Sequence, residues 1–183
     1  MNELEVHDNF HKKMSEKFPR YFGEGTRYGG FAIGEGWYFI IEALVEQIHH
    51  HTKWRRDMRA RDLRKQRAKD KGMEALIRYM AGKKSVPSDW DIERAEQAME
   101  EDIRITPKVE WIRVEQIKEK FGGLRFYYQG GDDYIDGMVT MAETWASSVC
   151  EKCGDRGKRR QGGWIRTLCD KHEAEYQARK NNA

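Results

Sequence analysis

Four positions near the end of the chain constrain it most: Cys150, Cys153, Cys169 and His172. They stand as two pairs, Cys150-Glu-Lys-Cys153 and Cys169-Asp-Lys-His172, separated by residues 154–168. A two-residue gap lets both side chains of a pair leave one tight turn, or the first turn of a helix, towards a single tetrahedral ion. Thiolate and imidazole are ligands that suit Zn2+. The chain has 3 cysteines, and all of them lie in this set. The spacing therefore predicts one zinc ion held by these four residues, the alternative being unrelated cysteines with one in a redox role. Four protein ligands leave no position for water, so the metal is expected to be structural and not catalytic.

The residues between the pairs predict how the chain surrounds the metal. Gly154 and Gly157 follow the first pair, where glycine permits the left-handed backbone of a zinc knuckle. A turn at Gln161-Gly-Gly163 separates Lys158-Arg-Arg160 from Trp164-Ile-Arg-Thr167, which predicts a short hairpin. Residues 170–179 are good helix formers. Knuckle, hairpin and ligand-bearing helix, in that order, predict a treble-clef zinc finger over 150–183.

Charged residues make up 36% of the 183 residues and hydrophobic ones 38%, a balance that predicts a thin core. The 6 Trp, 8 Tyr and 7 Phe are expected to thicken it, because each aromatic buries a large area. No apolar run reaches the length of a membrane span, and Met1-Asn-Glu-Leu-Glu5 lacks the basic and apolar regions of a signal peptide. Cysteines matched to a metal, with none left for disulfides, suit a reducing cytoplasm. The net charge of +3 hides an asymmetry: residues 53–71 hold ten Lys or Arg against three Asp, so +7 there leaves −4 for the rest. Such a local excess bears on surfaces and partners, not on fold.

The remaining pattern predicts an α+β fold. Residues 1–22 contain short amphipathic pieces, and Gly23, Gly25, Gly29 and Gly30 mark a turn-rich segment. From Trp37 onward Ile40, Ile41, Leu44, Val45 and Ile48 recur at helical steps and predict a long helix with one broad apolar face. That face fades while helix formers continue, so residues 53–105 are expected to be a charged helical insertion in an α+β core of 1–52 and 106–149. Within it, Gly72 and Gly82 bracket a short helix with Met73, Leu76, Ile77 and Met80 on one side. Ser88 and Asp91 resemble a capping box ahead of Ile92, Ala95, Met99 and Ile103. Thr106-Pro107 ends the helical stretch. Strand-like runs over 109–121 and 124–129 flank Gly122-Gly123, a hairpin signal. Asp132 and Asp133 then cap a helix through Ile135, Met138, Val139, Met141, Ala142 and Trp145.

Several of these stretches carry a resemblance. Gly34-Glu-Gly-Trp-Tyr38, Val114-Glu-Gln-Ile-Lys-Glu-Lys-Phe-Gly-Gly-Leu-Arg-Phe-Tyr127, Gly130-Gly-Asp132, Cys150-Glu-Lys-Cys-Gly154 and Gly163-Trp-Ile-Arg-Thr-Leu-Cys-Asp-Lys-His172 together resemble a family of small phage and prophage proteins. The middle of that family is variable, in keeping with an insertion over 53–105. The resemblance implies no established chemistry. It implies a phage origin, residence in the cytoplasm of a bacterial host and a role in redirecting or blocking host machinery.

Two basic elements point towards nucleic acid. Arg55, Arg56 and Arg59, with the Lys and Arg residues that continue to Lys71, could neutralise phosphates along a helix. The plainer reading is a solvated helix paired with the acidic 89–102 segment. Lys158, Arg159, Arg160 and Arg166 form a second cluster on the zinc hairpin. A separate possibility lies on the strand hairpin, where Arg125 and Tyr127 face outward if Leu124 and Phe126 face inward. With Lys118, Lys120 and Trp37 they would make a nucleotide pocket, or a surface for a host defence protein. The plainer reading there is sheet surface over core aromatics. Successive helical residues point about 100° apart, so His49-His50-His51 cannot converge on one ion and reads as helix surface. Gly34-Glu-Gly36 lacks a dinucleotide fingerprint, Gly82-Lys-Lys-Ser85 lacks the P-loop spacing, and there is no GxSxG. Asp132, Asp133 and Asp136 read as helix capping, although a metal-dependent nuclease would need such ligands. The expectation is a non-enzymatic, zinc-binding protein that contacts nucleic acid.

Overall fold

The computed structural model describes residues 3–23, 29–161 and 164–181. They form two compact units, one from 1–50 with 110–183 and the other from 51–109. The architecture is α+β. Among the described residues no helix is long and apolar enough to cross a membrane.

The first unit opens with α1 (Glu3–Lys17), longer than its short amphipathic pieces suggest, and with the single turn α2 (Pro19–Phe22). Phe10, Met14, Phe18, Tyr21 and Phe22 are all buried. A two-residue strand, β1 (Phe31–Ala32), leads to a 3-10 turn over Glu35–Trp37 and then to α3 (Tyr38–Asp70). The long helix begins one residue after Trp37 because the Trp37 N–H donates to Gly34 O at 3.1 Å and closes the tighter turn first. Ile40, Ile41, Leu44, Val45 and Ile48 are buried, the face that the periodicity predicts.

β2 (Arg113–Lys120) and β3 (Gly123–Gln129) pair antiparallel, and β1 runs parallel to β2 on its other side. Lys120 pairs with Gly123, so the turn is Phe121-Gly122, one residue earlier than the paired glycines suggest. Both turn residues have positive φ, 54° and 74°, as a tight two-residue hairpin requires. Val114, Ile117, Leu124 and Phe126 are buried, while Arg125 is half-buried and Tyr127 exposed. Asp132 caps α6 (Asp133–Ala146) by accepting from the Ile135 N–H at 3.2 Å. The buried stripe of α6 is Ile135, Val139, Ala142 and Ala146, while Met141 and Trp145 are exposed. Small alanines on the inner stripe let the helix approach β3 closely, which turns the larger apolar residues outward.

After α6 the chain makes a tight turn, then the hairpin β4 (Lys158–Arg160) and β5 (Arg166–Leu168), and ends in α7 (Asp170–Asn181). The predicted turn glycines Gly162 and Gly163, like Gly25, lie outside the described residues. Residues 150–183 fall in the same compact unit as the three-stranded sheet.

The second unit consists of the later part of α3 with α4 (Met73–Ala81) and α5 (Asp89–Glu100). Its core is small: Ala68, Leu76, Ala95 and Ala98, with Ile77, Tyr79, Met80 and Met99 against them. Ser88 and Asp91 form the capping box that their spacing predicts, each side chain accepting from the other's backbone N–H. α5 stops at Glu100, short of Ile103 and well before Thr106-Pro107, and the chain returns without regular secondary structure.

Candidate metal centre

The Cys150, Cys153, Cys169 and His172 ligand atoms all lie within 4.8 Å of one another. Cys150 Sγ is 3.5 Å and Cys169 Sγ 3.3 Å from His172 Nδ1, and Cys153 Sγ is 3.9 Å from Cys169 Sγ. Zn–S bonds of about 2.3 Å and Zn–N bonds of about 2.0–2.1 Å give tetrahedral S···S edges of about 3.8 Å and S···N edges of about 3.6 Å. The four groups thus have the separations and the chemistry of a Cys3His zinc site. They could hold one metal ion through three thiolates and Nδ1 of His172.

Local backbone explains how two distant pairs meet. The Gly154 N–H donates to Cys150 O at 2.9 Å, and the Cys150 N–H donates to Asp155 O at 2.7 Å, closing a tight knuckle. Gly154 sits at φ 81°, where a side chain would be strained. A bridge between Val149 and Arg156 clamps the base of the turn. The second pair straddles the start of α7, whose Glu173 N–H donates to Cys169 O at 3.0 Å, so Cys169 and His172 share the first helical turn.

The thiols are electrostatically interdependent. Burial pushes Cys150 up, but backbone N–H groups of Cys169, Cys153 and Lys152 aimed at its sulfur outweigh burial and bring it below the ordinary thiol value. Desolvation pushes Cys153 up to about 12, with the neighbouring Cys150, Asp155 and Cys169 side chains acting in the same direction. Thiols so close together cannot all ionise unaided, and a divalent cation removes that conflict. On the far side of the imidazole, His172 Nε2 lies 3.9 Å from Glu175 Oε2, beyond hydrogen-bond distance.

The rest of the first unit is built onto this centre, and sequence reasoning missed the contacts. Gly36 packs so closely on the knuckle that an added Cβ would lie 2.0 Å from Cys150 O and 2.5 Å from Gly154 N. The Gly36 N–H donates to Glu151 O at 2.9 Å, and Trp37 Nε1 donates to Val149 O at 2.8 Å. At the strand hairpin, Thr167 Oγ1 donates to Gly122 O at 2.6 Å, so the Phe121-Gly122 turn rests on β5. The backbone around Gly36-Trp37 and around Gly122 therefore touches the metal segment. Glycine beside tryptophan in Gly34-Glu-Gly-Trp37 was the available signal.

The predicted ligand pocket needs correction. Trp37 is fully buried and its indole N–H is satisfied, so it offers no surface to a ligand. Arg125 is paired with Glu143 at 3.5 Å, and the other oxygen of that carboxylate accepts from the Phe126 N–H at 2.9 Å. Glu143 thus occupies the place where an anionic ligand would meet Arg125. Lys118 lies over the Tyr127 ring at 5.1 Å and Lys120 over Phe121 at 5.5 Å. His49, read as helix surface, instead packs among the Phe18, Tyr21 and Trp111 rings.

The basic arm is also partly spent on structure. Arg56 donates to Val109 O at 3.3 Å, Arg59 to Thr106 O at 2.8 Å and Lys69 to Glu101 O at 2.6 Å, all within the second unit. Arg55 is half-buried. These cations tie α3 to backbone carbonyls of the returning chain, Lys69 reaching Glu101 at the end of the acidic 89–102 segment. Lys53, Arg64 and Arg67 on α3, and Lys71 just beyond its end, are exposed. On the metal hairpin, Arg160 donates to Leu168 O at 3.0 Å and to Asp170 at 2.6 Å, and Lys158 pairs with Asp170 at 3.1 Å. Arg159 is exposed, and Arg166 lies 4.9 Å from the centre of the Tyr176 ring.

A depression of about 470 Å3 adjoins His172 and is lined by His7, Glu35, Tyr38 and Lys152. His7 is held on both sides of its ring, by the Tyr38 hydroxyl at Nδ1 and by Phe31 O at Nε2, which ties α1 to β1 and α3. Burial, assisted by Glu35, pushes the Tyr38 phenol up to about 12. Comparison with protein-family models, curated proteins and solved structures returns no match.

Proposed function

We propose that this chain is a zinc protein without catalytic activity of its own, in which the metal centre fixes a basic hairpin for contact with nucleic acid. The observation that carries the reading is position. β4 and β5 lie between the two ligand pairs, so the Cys3His set holds both ends of a hairpin bearing Lys158, Arg159, Arg160 and Arg166. Knuckle, hairpin and helix follow one another as in a treble clef, and we assign that fold to the segment. A metal that closes such a loop supplies folding energy that a two-stranded ribbon lacks. Phosphate contacts need only fixed cations in reach of the backbone of the nucleic acid, and Lys53, Arg64 and Arg67 on α3, with Lys71 just beyond it, offer a second set. The competing idea, a host-protein or nucleotide binder built on Trp37 and Arg125, loses support because one is core and the other is paired.

The test is binding of the zinc-loaded protein to duplex DNA and to single-stranded RNA at about 50 and about 200 mM salt. An Arg159→Ala/Arg166→Ala variant and an Arg64→Ala/Arg67→Ala variant serve as probes. Affinity is expected to fall at least about tenfold with salt and to weaken in the hairpin variant. Absence of binding to either nucleic acid at the lower salt would sink the proposal.

A further inference from the structure

The metal hairpin and α7 enclose a groove of about 290 Å3 lined by Trp164, Arg166, Tyr176, Arg160, Lys180 and Glu173, among others. It adjoins a second depression of about 380 Å3 that shares Arg160 and adds Arg159 and Ile165. Three features distinguish this surface from a solvated basic face. First, Trp164 is 63% exposed, an indole left in water beside a groove instead of being packed. Second, the Arg166 guanidinium lies over the Tyr176 ring at 4.9 Å, so a flat cationic surface is already assembled. Third, the Arg166 Nε is buried without a hydrogen bond and is ion-paired only at 4.0 Å with Glu151 Oε1.

We propose that this groove binds single-stranded nucleic acid, stacking an unpaired base against Trp164 and the Arg166–Tyr176 layer while Arg159 and Lys180 meet the flanking phosphates. The inference rests on the nucleic-acid reading above and specifies its ligand. A groove flanked by an exposed indole and a cation-covered phenol accepts the face of a base, which a duplex hides within its stack. Flat duplex backbone would use the cations and leave Trp164 idle. Arg160 serves as a positioning residue: its bonds to Leu168 O and Asp170 hold the β4 end of the groove against the first turn of α7.

Fluorescence anisotropy with a labelled oligo(U) or oligo(dT) strand and a duplex of equal length, at two salt concentrations, tests this on the full zinc-loaded chain. The single strand is expected to bind about tenfold more tightly than the duplex. Trp164→Ala is expected to lose about tenfold at either salt, with an unchanged salt slope, and Trp164→Phe to recover most of the loss, because stacking is insensitive to ionic strength. Arg159→Ala/Lys180→Ala should instead flatten the salt slope, since each phosphate contact contributes about 0.7 to it on a single strand. All three sites are exposed enough for the variants to fold, and unchanged melting and zinc content would verify it. Equal affinity for duplex and strand, with Trp164→Ala neutral, would overturn the stacking groove but leave the nucleic-acid reading standing. No binding to any nucleic acid would overturn both.

Discussion

Gly36 shows how much a single residue contributes to the metal segment. Its missing side chain lets the chain before α3 lie against the knuckle, and a Cβ there would overlap Cys150 O at 2.0 Å. Gly36→Ala is therefore expected to push the Gly34–Trp37 turn off the knuckle. The cost should be about 1–3 kcal/mol or more, since overpacking against backbone finds little to displace. Thermal melting with zinc titration measures it; an unchanged midpoint and unchanged zinc affinity would contradict the contact. Trp37 acts with it, and Trp37→Phe, which keeps the ring but removes the donor to Val149 O, should cost about 1–3 kcal/mol by leaving that carbonyl unpaired. Neither role was legible in the sequence. The four metal ligands were, because the spacing of two pairs is a local property, whereas the partner of a glycine 114 positions away from Cys150 is not.

Among the elements, α5 offers the clearest test of local sequence signals. Its capping box was readable from Ser88 and Asp91 alone, and Ser88→Ala is expected to destabilise the second unit by about 0.5–2 kcal/mol. Asp91 is held well below the ordinary Asp value of 3.8 by Lys84, at 2.8 Å, and by the Ser88 hydroxyl and N–H. A carboxylate depressed in the folded state contributes stability that is complete above its unfolded value and is lost as pH falls through that value towards the folded one. Stability of the 51–109 unit should thus be flat in this respect near neutrality and decline in acid below about pH 4. Asp91→Asn should remove that part of the acid decline; an acid limb identical to the unsubstituted protein would count against the pairing. Features that depend on partners are not legible locally. The sequence shows that α6 is a helix but not which face it buries; the sheet selects the stripe with Ala142 and Ala146 and leaves Met141 and Trp145 exposed. β1 is two residues long and carries no periodicity, so only its register with Ile117 and Lys118 reveals it.

At the scale of the molecule, each unit has its own core, and only the first is organised around the Cys3His set. Removing the metal with a strong chelator is expected to lower the melting point of the first unit and to loosen the β4–β5 hairpin and α7. Among the described residues helix α7 buries none, and it is otherwise tied through Asp170 to Lys158 and Arg160 and through Tyr176 to Arg166. Backbone amides at Leu76, Ala95 and Ala98 should keep their exchange protection in the same sample, and their simultaneous loss would show that the second core does not stand by itself. The charge pattern foretold a basic arm but not its use, since a run of cations cannot announce that Arg56 and Arg59 will be consumed by carbonyls of the returning chain. The most direct measurement of the central claim is metal stoichiometry joined to ligand-field spectroscopy of the cobalt-substituted protein, with Cys153→Ser alongside. One zinc per chain, replaced by Co2+ with the intense bands of a tetrahedral three-thiolate, one-imidazole site and abolished or strongly weakened in Cys153→Ser, is the result the account predicts. No bound metal, or a Cys153→Ser variant that keeps a full equivalent with the same spectrum and melting point, would contradict it.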